Sequence, residues 1–304
     1  MRYIILICAQ LLIGAFAKAQ QFLPVLTLVK GESYHHVSKA KMKVYQMIDG
    51  EETEVTTGVT ASVTFTVKDV NDSLYTMETR YDSLGLSLEA DEMSQDFSSA
   101  TPTDPFSSLL SKATQYSFTV LIYRTGKIKS VTGITELIDR LVNTGANILP
   151  GKKQAVKKQL TDAYGETAFK GSFESVTNIF PNKRVKLNEQ WEVVSQPESL
   201  MASTKKTMYH LKEVTDDTFI IHGTSTEKTA NKDAYMPIDG TPVRYDFEGG
   251  STSSFTINRK TGWIVKAQVN DSISGAANIK ASEEVPNGMV IPMIIFSDLD
   301  ITGS

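Results

Sequence analysis

Residues 59–68 alternate without interruption: Val59, Ala61, Val63, Phe65 and Val67 fall on one side, Thr60, Ser62, Thr64 and Thr66 on the other. Successive side chains of a strand point to opposite faces, so this period of two requires a strand with one apolar and one wet face. The apolar face must be covered, and the chain has to supply the cover. Asp69-Val70-Asn71-Asp72 offers turn residues, after which 74–81 runs back with Tyr75, Met77, Thr79 and Tyr81 aligned. Residues 116–123, 128–132, 207–214, 218–226, 253–258, 263–272 and 290–296 have the same strand character. Short strands joined by tight turns predict an antiparallel meander rather than a parallel sheet.

The helical signal is mostly central. Asp104-Pro105 reads as an N-cap with proline at the first helical position, followed by Phe106, Leu109, Leu110 and Ala113 on one face. Ile134, Leu137, Ile138, Leu141 and Val142 recur at helical spacing, with Gly145 as a stop. Another helix is expected over about 152–164, on Val156, Leu160, Ala163 and Tyr164. A further one follows Gly165, aligning Phe169, Phe173, Val176 and Phe180 before Pro181. The expected fold is α+β and mainly β: a curved antiparallel sheet or half-barrel with a central helical segment packed on one face. Residues 20–131 form a first β-rich half, 132–180 the helical segment and 181–304 a second β-rich half, all in one continuous globular unit.

The chain also echoes itself. Val67-Lys68-Asp69-Val70-Asn71-Asp72-Ser73-Leu74-Tyr75 is matched by Leu211-Lys212-Glu213-Val214-Thr215-Asp216-Asp217-Thr218-Phe219. Tyr123-Arg124-Thr125-Gly126-Lys127-Ile128 is matched by Arg259-Lys260-Thr261-Gly262-Trp263-Ile264. Each echo reads as strand, polar turn, strand. One match follows from turn chemistry alone, but two in the same order favour a duplicated sheet. The offsets, 144 and 136 residues, call for insertions.

Residues 1–19 have the layout of a secretory leader: Arg2, an apolar run from Ile4 to Phe16, and a small-x-small end at Ala17-Lys18-Ala19. Cleavage after Ala19 is expected, with the mature protein in the periplasm or at the cell surface. The lone cysteine, Cys8, lies in this segment and follows Ile7, where a lipidation signal wants a small residue. The mature chain therefore has no thiolate ligand and no disulfide. Its formal charge moves from −4 to −6 when Arg2 and Lys18 leave, which argues against nucleic acid as a partner. No later run reaches the roughly 18 apolar residues of a membrane-spanning helix.

Nothing in the sequence nominates a catalytic residue, a metal ligand set or a cofactor site. His35 and His36 are adjacent and point to opposite faces of a strand; His210 and His222 lie in neighbouring strands but make no closed site. Gly249-Gly250-Ser251 lacks the context of a nucleophile elbow. Asp233, Asp239, Asp246 and Glu248 read as a solvated connection, and Lys152, Lys153, Lys157 and Lys158 as a wet helix face. Residues 89–108, acidic and serine-rich, read as a loop that either covers a cavity or is a plain excursion. Trp191, Trp263, Phe169, Phe173 and Phe180 are core aromatics, with Phe169, Phe173 and Phe180 also the candidates for lining a ligand cavity.

The leader, the Thr-Gly hairpins and Phe180-Pro181-Asn182-Lys183-Arg184-Val185-Lys186-Leu187-Asn188-Glu189-Gln190-Trp191 resemble the DUF6263 family of exported Bacteroidota proteins. That family's pattern has Gly-Asp where Asn188-Glu189 stands here. The hairpins are also similar to those of periplasmic lipoprotein carriers of the LolA/LppX type, whose curved half-barrels hold acyl chains beneath helices. The family name implies no activity, and the likeness to the carriers is one of fold. The one-sided strand pattern, with helices able to plug or line a concave face, leads to the expectation of a non-enzymatic protein that binds a lipid or other apolar ligand, or an envelope component. The alternative is a structural or protein-interaction module of the envelope with no small-molecule site. Asp72-Ser73-Leu74, Asp82-Ser83-Leu84 and Asp271-Ser272-Ile273 are similar to Bacteroidota O-glycosylation tripeptides, which makes Ser73, Ser83 and Ser272 candidate glycan sites.

Overall fold

The computed structural model describes residues 20–144, 150–197, 202–238, 240–282 and 285–304. The leader at 1–19 and the stop expected at Gly145 lie outside the described residues, as does Asp239. The strands of the first half are β1 (Ser33–Ile48), β2 (Glu51–Val70), β3 (Leu74–Ala90), β4 (Met93–Ser98), β5 (Ser117–Tyr123) and β6 (Ile128–Thr132). Helix α1 (Pro105–Ala113) precedes β5, and α2 (Ile134–Thr144), α3 (Lys153–Tyr164) and α4 (Glu166–Thr177) follow β6. The second half holds β7 (Gln190–Ser195), β8 (Ser203–Val214), β9 (Thr218–Thr229), β10 (Met236–Ile238), β11 (Thr241–Asn258), β12 (Ile264–Ile279) and β13 (Met289–Gly303).

All strands join one open, antiparallel sheet in the order β6-β5-β3-β2-β1-β13-β12-β11-β9-β8-β7. The order β6-β5-β3-β2-β1 recurs as β12-β11-β9-β8-β7, with β13 inserted between the two sets. The short strands β4 and β10 pair with β3 and β11, off the main path. The echoed segments occupy equivalent hairpins. In each, the register slips at the same place, between Val67 and Asp69 in one and between Leu211 and Glu213 in the other. Asn71 Oδ1 accepts from the Leu74 amide, and Thr215 Oγ1 accepts from the Thr218 amide, so each turn is held by the same kind of side-chain cap.

Several strands run past their expected ends. The alternation in β3 breaks after Tyr81 because Asp82 and Ser83 both face solvent at a register shift, and Leu84 and Leu86 then resume the buried face. Ser83, a candidate glycan site, therefore lies inside a strand. Gly249 and Gly250 continue β11 instead of ending it; a Cβ at Gly249 would meet the Ser272 carbonyl, and one at Gly250 the Ser225 carbonyl. Asp246 and Glu248 therefore sit on a strand, not in a connection. Residues 89–108 hold the end of β3, all of β4 and the start of α1, so they are no loop. The cap expected at Asp104 forms: its Oδ1 accepts from the amides of Phe106 (2.8 Å) and Ser107 (2.9 Å).

The core lies between the inner face of the sheet and the helices. Residues 22–28 cross beneath both Thr-Gly turns, with the Leu26 amide donating to the Arg124 carbonyl and the Thr27 amide to the Thr261 carbonyl. The Tyr75 hydroxyl accepts from the Leu28 amide and donates to the Leu26 carbonyl. Deeper in, Phe173 of α4 stacks on Phe65 (centroids 4.7 Å, 16° apart), and His36 stacks on Trp263 (4.4 Å, 27°). His36 meets Phe65 and Phe173 edge-on. Burial alone pulls the His36 imidazole down to about 3.

Two predictions follow from these packing details. Gly126 has φ +82°, and a Cβ there would collide with the Thr177 carbonyl, whereas Gly50, at φ +85°, has open space around it. In urea unfolding, Gly126→Ala is expected to lose at least about 2 kcal/mol and Gly50→Ala roughly 1; equal losses would contradict the packing argument. For His36, the unfolded chain takes up a proton near pH 6.5 that the fold refuses until about pH 3. Stability is therefore lost as pH falls through that window, by about 2 kcal/mol between pH 7 and 5. His36→Phe keeps an aromatic ring in the stack and should show a correspondingly shallower acid slope; an unchanged slope would refute the assignment.

Candidate ligand-binding site

The inner face of the sheet is wider than the helices that cover it, and among the described residues a cavity lies on each flank of α4. The first, of about 250 Å³, lies beneath α3 and α4 against β1, β2, β3 and β13. Ala40, Val59, Ala61 and Val63 form its floor; Phe169 and Phe173 form its roof. The helix places them: residues 169 and 173 are one turn apart and share a face. Small residues leave the space, since alanines at 40, 61, 163 and 168 stand where larger side chains would fill it.

The hydroxyls in this lining are taken up by backbone carbonyls. The hydroxyls of Ser38, Tyr81, Tyr164 and Ser172 donate to the carbonyls of Ala61, Tyr164, Gly85 and Phe169, respectively. Burial pushes both phenols above their ordinary range, in Tyr81 with a smaller contribution from Tyr164. His36, 3% exposed, also lines the cavity, and its Nε2 has no hydrogen-bond partner among the described residues. Its ring is enclosed by Phe65, Phe173 and Trp263.

The second cavity, of about 320 Å³, lies on the other flank of α4. Lys170, Gly171, Glu174 and Ser175 face it from the helix, and Met42, Ile273 and Ile295 from the sheet. A largely buried ionic group sits in its wall. Lys205 Nζ lies 2.6 Å from Asp271 and 3.8 Å from Glu227, with the three side chains 17–27% exposed. Glu227 also accepts from Ser203 Oγ at 2.5 Å. Burial pushes the nearby Tyr209 phenol up to about 12.

Of the three phenylalanines singled out in the sequence, Phe169 and Phe173 come together over the first cavity, with ring centroids 5.6 Å apart. Phe180 does not join them, because α4 ends at Thr177, whose hydroxyl donates to the carbonyls of Gly126 and Phe173. The backbone then turns at Asn178, and Phe180 lies in a separate cleft with Trp191. Ser73 is at the β2–β3 turn, Ser83 within β3 and Ser272 within β12, each exposed. The small residues and His36 were missed as site residues. Their signal was spatial: four alanines from separate elements have no common motif.

The remaining candidates stay dispersed. His35 bonds Thr64 Oγ1 on the outer face, while His210 and His222 pair across β8 and β9 with rings 5.6 Å apart. Partial burial, then the neighbouring His222 and Lys212, pull His210 below its usual value. Among the described residues no group of three or more His, Cys, Asp or Glu converges. Lys157 pairs with Asp139, Lys158 with Asp162, and Lys153 reaches the Asn143 carbonyl, which ties the lysines of α3 into the helical layer. Asp246 and Glu248 pair with Lys232 and Lys228 at the surface.

No curated protein matches the chain. Among solved structures it is similar to one described as lipid–protein interactions in lipovitellin, at 8% identity and a TM-score of 0.48. That likeness covers 91% of this chain and 25% of the other, so the chain spans about a quarter of its length. An outer membrane channel from Pseudomonas putida F1 matches at 9% identity and a TM-score of 0.25, covering 92% of this chain and 97% of that one. Neither likeness, at these values, bears on what this chain binds. A family model described as a family of unknown function, DUF6263, matches residues 72–264, more than half of the sequence. The chain belongs to the DUF6263 family.

Proposed function

We propose that this protein is an exported, non-enzymatic binder of an apolar ligand, held beneath α3 and α4 against the inner face of the sheet. The lining of the first cavity carries this reading: about 250 Å³ of space walled by hydrocarbon, with its hydroxyls turned to backbone carbonyls. Water gains little in such a space, whereas an apolar molecule sheds unfavourable hydration on entering. An engineered cavity of roughly 150 Å³ with comparable walls stays dry and takes up benzene. The lining also offers no working acid–base pair: its imidazole is held neutral and its phenols are driven up by burial. Export rests on the leader at 1–19, and the periplasm or cell surface is the corresponding address.

A second reading, a protein-interaction module of the envelope, draws on the outer face of β13. Val290, Ile294 and Phe296 are exposed there, and Tyr45 of β1 lies edge-on to Phe296 at 6.1 Å. Filling the cavity separates the two. Ala168→Phe puts a ring into existing space, so the fold should survive with its melting temperature shifted by no more than about 4 °C. Affinity for the neutral fluorophore N-phenyl-1-naphthylamine is expected to fall at least about tenfold. Unchanged probe binding in the folded variant would sink the ligand reading and leave the interaction module.

A further inference from the structure

The two cavities share no lining residue, yet they meet on adjacent rungs of the sheet. On β1, Ala40 lines the first and Met42 the second; on β13, Leu299 lines the first and Ser297 the second. Ala40 pairs with Leu299 and Met42 with Ser297, so these are consecutive inner-facing rungs, about 7 Å apart along the strands. On α4, Phe169, Ser172 and Phe173 face the first cavity, and Lys170, Gly171, Glu174 and Ser175 face the second. One helix thus divides an apolar compartment from a more polar one, and the floor of the two runs along the same strands.

The polar compartment is not neutral. Among the described residues its lining holds three carboxylates, Glu174, Glu227 and Asp271, and two ammonium groups, Lys170 and Lys205. At its centre, Glu227 and Asp271 share the single Lys205, close to Asp271 and loose on Glu227. At 20% and 27% exposure these carboxylates are only partly screened by water, so the excess negative charge attracts a further cation. Asp271 shares its rung with Ser297 and Met42, next to the Leu299–Ala40 rung of the apolar compartment, and the aliphatic pair Ile273–Ile295 lies one rung farther on.

We infer that the two cavities form one site for an amphiphile with a cationic, amine-bearing head. Its hydrocarbon tail occupies the first cavity, and its ammonium group docks in the second against Glu227 and Asp271. This deepens the apolar-ligand reading above and rests on it. Binding is non-covalent, and the head completes the neutralisation that Lys205 begins.

The test is a head-group series with one tail, octylamine, octan-1-ol and octanoate, titrated calorimetrically against the full mature chain. Octylamine is expected to bind at least about tenfold more tightly than octan-1-ol, with octanoate the weakest. Glu227→Gln with Asp271→Asn keeps the shape of the wall and should abolish the amine preference, read as the ratio of octylamine to octan-1-ol affinity in the same variant. Equal affinity for the three heads in the unaltered protein overturns the inference without touching the apolar-ligand reading, and it needs no variant to fold. A preference that survives the double substitution also overturns it. Failure of all three to bind overturns both.

Discussion

The contact between Phe173 and Phe65 fixes where the helical layer meets the sheet. Phe173 belongs to the crossover that carries the chain from edge strand β6 to edge strand β7, Phe65 to the first meander, and the Trp263 beside them to a turn of the second. Burying a phenylalanine is worth about 2–3 kcal/mol. The exposed helical ion pair Lys158–Asp162 is worth only a few tenths. Apolar burial therefore decides the seat of α4, and the seat of α4 decides that room is left on both of its flanks.

The shape of that room follows from the repeated strand order. Each half supplies strands in the same order, and β13 fuses the two into one open sheet whose inner face is far longer than any helix of the chain. A single helical layer serves both halves. Apart from α1 it comes from the connection between them, so it cannot cover the inner face evenly. Under α3 and α4 the first half presents alanine and valine, leaving an apolar space. On the other flank of α4 the second half presents Lys205, Glu227 and Asp271. The same backbone plan thus offers two chemically different compartments.

Much of the fold was legible because the period of two is a local signal. Residues 59–68 announce β2, and the cap at Asp104 announces α1, without reference to anything distant. The misreadings occurred where long-range packing overrides local pattern. Asp246 and Glu248 read as part of a solvated connection, yet they stand in β11, which Gly249 and Gly250 continue where neighbouring strands approach too closely for a Cβ. Asp82-Ser83 looks like an end, yet it is a register shift within β3. Phe180 continues the spacing of Phe169 and Phe173, but the helix ends before it reaches the same face. The site itself was only half legible. Large aromatics can be nominated from sequence, whereas a cavity is made by what is small, and Ala40, Ala61, Ala163 and Ala168 are unremarkable until the sheet brings them together.

The central claim is that the space beneath α3 and α4 is kept for a ligand. Native mass spectrometry of mature protein purified from its own envelope, followed by solvent extraction, addresses it most directly. The account predicts a co-purifying lipid or other apolar molecule at near-unit stoichiometry, released into the organic phase. A bare polypeptide mass from gently handled native material, with nothing extracted, would contradict it and turn attention to the exposed face of β13 and to protein partners.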